Sequence, residues 1–146
     1  MGKPAIRLLD AYAAPGGPEF LYELMKERPP ESAIAHRKPP SFEEHRAFMA
    51  LKPYRAWCLV EAEGRRVGAV TLTPNNEVGV FILREFQRKG YARAALQALM
   101  LAYPPLPAIP TVRPGHFFAN VNPANAASVA LFTSLGGRHI ANTYEL

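Results

Sequence analysis

Gln87-Arg88-Lys89-Gly90-Tyr91-Ala92 is the stretch on which the reading of this chain turns. Before it runs Glu77 to Leu83, apolar at nearly every position after Glu77, which predicts a strand covered on both faces. After it, Ala92, Ala95, Leu96, Leu99 and Met100 recur at i, i+3, i+4, i+7 and i+8 and predict an amphipathic helix over Gly90 to Tyr103. A loop that leaves a strand and opens a helix presents several unpaired backbone amides in one direction. The positive end of the helix dipole lies at the same place, so the loop suits a phosphate or pyrophosphate. Gly90 has no β-carbon to hold a ligand off the main chain, and Arg88 and Lys89 add formal positive charge. Neither GxxxxGK(S/T) nor GxGxxG occurs, which excludes a P-loop nucleotidase and a dinucleotide-binding unit.

Toward the N-terminus, Ile6 to Leu9 reads as a short first strand. Pro18 to Lys26, with Phe20, Leu21, Leu24 and Met25 at helical spacing, reads as a helix that Pro29-Pro30 ends. Ser41 followed by Glu44 is a capping-box pattern that starts a second helix, with Phe48 and Leu51 on one face and Pro53 just beyond. The period then changes to two. Ala56 to Glu61 and Val67 to Thr73 are strands joined through Glu63-Gly64-Arg65, and Asn75-Asn76 supplies the next turn. On the other side of the decisive loop, Pro104 to Pro114 is a stiff connector. His116 to Val121 then reads as a strand, Ala124 to Leu135 as a helix closed by Gly136-Gly137, and Arg138 to Leu146 as a final strand. The class is α/β (α+β), with no linker that would split residues 1–146 into two domains.

Composition narrows the function classes. At 146 residues, 49% hydrophobic and 20% charged, the chain has the make-up of one globular domain. Its longest apolar run is too short to span a bilayer and no signal peptide is read, so no membrane association is expected. The one cysteine, Cys58, excludes a disulfide framework and fits a cytoplasmic setting. His36, His45, His116 and His139 lack ligand spacing, so no metal is expected. A net charge of +5 favours an anionic ligand. Because Lys and Arg are spread along the whole chain, no nucleic-acid partner is expected.

The decisive loop resembles the Q/R-x-x-G-x-G/A pyrophosphate loop of the GNAT superfamily of N-acetyltransferases. A second block agrees: Ala119-Asn120-Val121-Asn122-Pro123-Ala124-Asn125-Ala126-Ala127-Ser128 is similar to the family's AxVxPxNxxS stretch. Leu135-Gly136 resembles the LGF that follows, with Gly137 in place of the phenylalanine. The resemblance implies a mixed, mostly antiparallel sheet with helices on both faces and acetyl-CoA in a V-shaped opening beside the loop-bearing helix. It implies that Gln87, Arg88, Lys89, Gly90, Tyr91, Ala92 and Arg93 hold the pyrophosphate and that main chain near Ile82 and Leu83 pairs with the pantetheine arm. Asn125 would touch the same arm from the other side.

The family's reaction is direct attack of a primary amine on the thioester, so a base must take the amine's proton. Glu77 matches the position where several members carry such a glutamate; the alternative is a strand-end carboxylate paired with Arg65 or Arg66. Where many members place a proton-donating tyrosine this chain has Phe132, with Ser128, Tyr91 and Tyr144 as substitutes. Cys58 reads as a core residue and not a nucleophile. His45 lies on a helix that in the family often borders the acceptor pocket, and Arg37-Lys38 could meet an anionic acceptor or form a solvated loop. The stretch Pro40 to Gly68 resembles members acting on nucleotide-linked amino sugars, while the AxVxPxNxxS block resembles members acting on protein amino termini. The rival reading is a GNAT-fold protein that binds CoA without turnover. A terminal strand at Leu146 also allows pairing with a second copy as a homodimer.

Overall fold

Period-two patterning in the middle of the chain produces an antiparallel meander. The computed structural model describes residues 3–28 and 39–146, so Arg37-Lys38 and His36 lie outside the described residues. In chain order the elements are β1 (Arg7–Asp10), α1 (Gly17–Lys26), α2 (Phe42–Ala50), β2 (Ala56–Ala62), β3 (Arg65–Leu72), β4 (Val78–Ile82), α3 (Tyr91–Ala102) and α4 (Ala126–Ser134). The strands form one sheet in the order β1-β2-β3-β4, every neighbouring pair antiparallel. Between β2 and β3 the register steps from Val60↔Gly68 to Glu61↔Arg66, a bulge at Val67. Gly68 is required there, since a β-carbon would run into the Phe81 carbonyl of β4.

Alternation along the strands sends side chains to two cores. Ala56, Cys58, Val60 and Ala62 of β2, with Val70 and Leu72 of β3, meet Ala95, Leu96 and Leu99 of α3 on one face. Trp57 and Leu59 of β2, with Ala69 of β3, meet Leu21 and Leu24 of α1 and Met49 of α2 on the other. Each fully buried Leu or Val contributes on the order of 1.5–3 kcal/mol. The sheet is therefore clamped between helices on both faces, as expected.

The capping box at Ser41 forms: the Glu44 amide donates to Ser41 Oγ (3.2 Å) and the Ser41 amide donates to Glu44 Oε1 (3.0 Å). The apolar run after Glu77 is less enclosed than expected. In β4 only the two ends, Val78 and Ile82, are buried, and Gly79, Val80 and Phe81 are half-exposed, because β4 is the edge of the sheet.

Two expected strands do not form. Of His116 to Val121, only Phe118 pairs, in a single parallel bridge with Glu77. Arg138 to Leu146 has no regular structure and is exposed throughout, Ile140 at 61% and Tyr144 at 77%. Alternating apolar residues make a strand only where a partner edge supplies backbone hydrogen bonds, and among the described residues none reaches this segment. The last helix also begins later than expected, at Ala126, because Asn125 caps it. Of the two strands expected to flank a V-shaped opening, β4 forms, whereas the other is irregular chain leading to α4.

Candidate active site

The loop between β4 and α3 owes its shape to two residues in left-handed backbone, Arg88 (φ 64°) and Gly90 (φ 81°). That conformation is ordinary for glycine and costs an arginine on the order of 1 kcal/mol, the kind of strain a ligand loop holds. Gly90 is the N-cap of α3 and brings no side-chain cap. The first-turn amides of Tyr91, Ala92 and Arg93 have no intrahelical acceptor by the geometry of a helix start. Gln87 to Gly90 are exposed, and Tyr91 and Ala92 half-buried. The Gln87 side chain folds back, its Nε2 donating to the Ile82 carbonyl (2.9 Å), and so ties the loop to the end of β4. This contact falls on the main chain expected to meet the pantetheine arm, and a carbonyl retains a second lone pair. Arg93 points elsewhere: its guanidinium donates to both the backbone carbonyl and the hydroxyl of Ser134 (2.8 Å each), joining α3 to α4.

Glu77 stands at the opposite end of β4, half-buried. Its amide donates to Thr73 Oγ1 (3.0 Å), and its carbonyl accepts from the Thr73 amide (2.9 Å). Phe118 bonds on both sides of it, accepting from Val78 N (2.8 Å) and donating to the Asn76 carbonyl (3.1 Å). The alternative pairing of Glu77 with Arg65 or Arg66 is not what the side chains do. Arg65 lies 3.8 Å from Glu85 and over the Phe86 ring, and Arg66 reaches toward Gly16. Neither arginine makes an ion pair with Glu77 among the described residues. Burial raises the Tyr54 phenol above its usual pKa, Arg28 opposes this, and Glu77 and Tyr12 add to it.

Asn125 and Ser128 come together at the start of α4, where Asn125 Oδ1 accepts from the Ser128 amide (3.1 Å). The Asn125 oxygen is therefore engaged in capping. Phe132, with Leu131 and Leu135, packs partly buried against the α3 side of the core. Of the substitutes for a tyrosine there, Tyr91 packs against the same core and Tyr144 is largely exposed. Cys58 is buried, and desolvation, aided by Asp10, pushes its thiol up to about 11, which keeps it protonated and inert. His45 is also buried rather than lining a pocket. Its Nε2 lies 3.1 Å from the Pro18 carbonyl and so carries the proton, and Tyr22, Phe42 and Trp57 ring it. Among the described residues no group of three or more His, Cys, Asp or Glu could hold a metal, and no helix is long and apolar enough to cross a membrane.

A second set of contacts, beside Glu77, has no signal in the local sequence pattern. Asn76 is fully buried, and its side chain bonds the loop Pro104 to Pro114. Arg55 and Arg113 donate to carbonyls of the same loop, at Pro104 and Pro107 (2.8 Å each). These partners lie 6 to 49 positions apart in the chain.

Comparison with known proteins agrees with this geometry. Among solved structures, an acetyltransferase from Thermus thermophilus superposes with a TM-score of 0.69 at 19% identity, covering 96% of this chain and 91% of that one. The microcin C7 self-immunity acetyltransferase, solved with acetyl-CoA and AMP, gives 0.65 at 18% identity, covering 90% and 77%. A ribosomal-protein-alanine N-acetyltransferase from Brucella melitensis gives 0.60 at 19%, covering 90% and 83%. At such identities the likeness speaks to the fold. No curated protein matches the chain. The sequence profile of the acetyltransferase (GNAT) domain matches residues 18–138, most of the chain, which therefore belongs to the GNAT family of acetyltransferases.

Proposed function

We propose that this protein moves an acetyl group from acetyl-CoA to a primary amine by direct attack in a ternary complex. One observation carries the reading. The loop at Arg88 to Gly90 turns through left-handed backbone into uncapped first-turn amides, at one end of an edge strand whose other end bears Glu77. The six steps from Glu77 to Leu83 span about 20 Å at a strand's rise, the reach of an extended pantetheine arm.

In this reading Gln87, Arg88, Lys89, Gly90, Tyr91 and Ala92 hold the pyrophosphate through backbone amides, the dipole of α3 and formal charge. Arg93 contributes its amide, its side chain being engaged with Ser134. The free edge of β4 near Ile82 and Leu83 receives the pantetheine arm, and Asn125 flanks it from α4. The thioester, when bound, supplies an activated acetyl group. An alkyl amine is mostly protonated at neutral pH, and Glu77 takes that proton so that the nitrogen lone pair is available. Phe132 cannot protonate the departing thiolate, whose conjugate thiol has a pKa of about 8.5 and leaves without much help. Ser128 offers a hydroxyl on the same helix, one turn before Phe132. The acceptor is an amino group on a nucleotide-linked sugar or at a protein amino terminus. The first is supported by likeness to an acetyltransferase solved with AMP, the second by likeness to one named for ribosomal-protein alanine.

Calorimetric titration of acetyl-CoA into wild type, Gly90→Glu and Glu77→Gln tests this. Wild type should bind in the micromolar range, Gly90→Glu at least tenfold more weakly, and Glu77→Gln as wild type but with turnover down at least tenfold. Because Phe132 removes the usual proton donor, a CoA-binding protein without turnover is the second reading. Wild-type binding without acetylation of any sugar-nucleotide or peptide amine would establish it, and absence of binding would end both.

A further inference from the structure

Asn76 follows a proline turn and has φ 74°, a conformation that glycine would serve as well. Its side chain does much more than tolerate the turn. The residue is 0% exposed. Nδ2 donates to the Leu106 carbonyl (2.9 Å) and to the Pro114 carbonyl (2.8 Å), while Oδ1 accepts from the Leu106 amide (2.8 Å). Both N–H groups and one oxygen lone pair of the amide are thereby used.

The loop it grips needs such a donor. Pro104, Pro105, Pro107, Pro110 and Pro114 have no N–H, so backbone pairing inside the segment is confined to the turn between Ile109 and Arg113, and the carbonyls of Pro104, Leu106, Pro107 and Pro114 are met by side chains. Arg55 serves Pro104 (2.8 Å); Arg113 serves Pro107 (2.8 Å) and the turn carbonyl of Pro74 (3.2 Å). Asn76 is the buried member of this set, and its own carbonyl accepts from Phe118, the residue bridged to Glu77.

We propose that Asn76 is a positioning residue. Its buried amide latches the proline loop onto the turn before β4 and thereby fixes Glu77 and Phe118 where the two sides of the opening part. The consequence for catalysis rests on Glu77 being the base. The latch itself does not.

Asn76→Gly keeps the left-handed turn and removes only the latch; Asn76→Asp keeps the shape but replaces the two donated hydrogens by a carboxylate facing two carbonyls. Amide hydrogen exchange of Leu106, Val78 and Phe118 is measured in both, with Tm, acetyl-CoA affinity and steady-state rates. The acceptor probes are a peptide with a free amino terminus and a nucleotide-linked amino sugar. Exchange at the three amides should rise at least tenfold and kcat fall at least tenfold, with acetyl-CoA affinity within threefold of wild type. Unchanged exchange in Asn76→Gly would make Asn76 a turn former only and overturn the proposal. Faster exchange with wild-type kcat would also overturn it, as would parallel loss of kcat, affinity and Tm, which marks general destabilisation. Glu77→Gln is the control. If it keeps full rate the base assignment falls by itself, and the latch stands or falls on the exchange of Phe118.

Discussion

The two segments that flank the free edge of β4 are built by different forces. On the β4–α3 side, Ala95, Leu96 and Leu99 are buried against the sheet, so the helix that follows the Gln87–Gly90 loop is fixed by apolar area. On the opposite side, α4 has no buried residue at all, and it is joined to the rest by partial packing of Leu131, Phe132 and Leu135 and by the Arg93 hydrogen bonds to Ser134. Burial is collective and resists any one substitution's local loss of contact; a hydrogen bond between distant residues fails with one atom. One side is thus a rigid platform for the loop, while the other is held at points, by Asn76, Arg55, Arg113 and Arg93.

The largest effect that would test this contrast is Leu96→Ala. Leu96 is 0% exposed between α3 and the sheet, so the change should cost about 2–5 kcal/mol of global stability in urea unfolding. The same substitution at half-buried Leu131 should cost about 1 kcal/mol, since less area returns to water. Equal losses at the two leucines would break the comparison. Arg93→Ala comes next. It removes two exposed contacts to Ser134, so global stability should change by less than about 1 kcal/mol while amide exchange in the last turn of α4 rises severalfold. No change in exchange there would mean that apolar packing alone holds α4. The smallest effect is expected from pH, acting on the other face of the sheet, where α1 and α2 pack. Burial holds the His45 imidazole below its usual 6.5, against the opposing pull of the Pro18 carbonyl and Glu19. Its neutral form therefore contributes stability that is complete above the unfolded value and is lost as pH falls through the folded one. Wild type should lose Tm relative to His45→Gln between about pH 7.5 and about pH 5, and parallel curves would remove His45 from the account.

Much of the sheet and of the helices that cover it could be read in advance because their determinants are local. The apolar stripe from Ala92 to Met100 placed α3, Ser41 and Glu44 placed α2 through the capping box that forms, and period-two alternation placed β2 and β3. The α4 side misled for a physical reason. His116 to Val121 and Arg138 to Leu146 carry strand-like residues, yet a strand is completed by hydrogen bonds to a neighbour, and local pattern does not say whether one is present. Asn76 illustrates the same limit within one residue. Its tolerance of left-handed backbone was legible as a turn, but its grip on Leu106 and Pro114 was not, because those partners are 30 and 38 residues away.

By itself, then, the sequence determined the meander, the helices that cover it, the pyrophosphate-type loop at Gln87 to Ala92 and the family resemblance, all of which follow from residue spacing within a few turns of chain. The tertiary structure alone decided that β4 is an edge and that His45 is buried. It also decided that Arg65 meets Glu85 and Phe86 rather than Glu77, and that a proline loop is fastened by one buried amide. Those outcomes depend on which distant groups meet, and burial and hydrogen bonding act through space rather than along the chain.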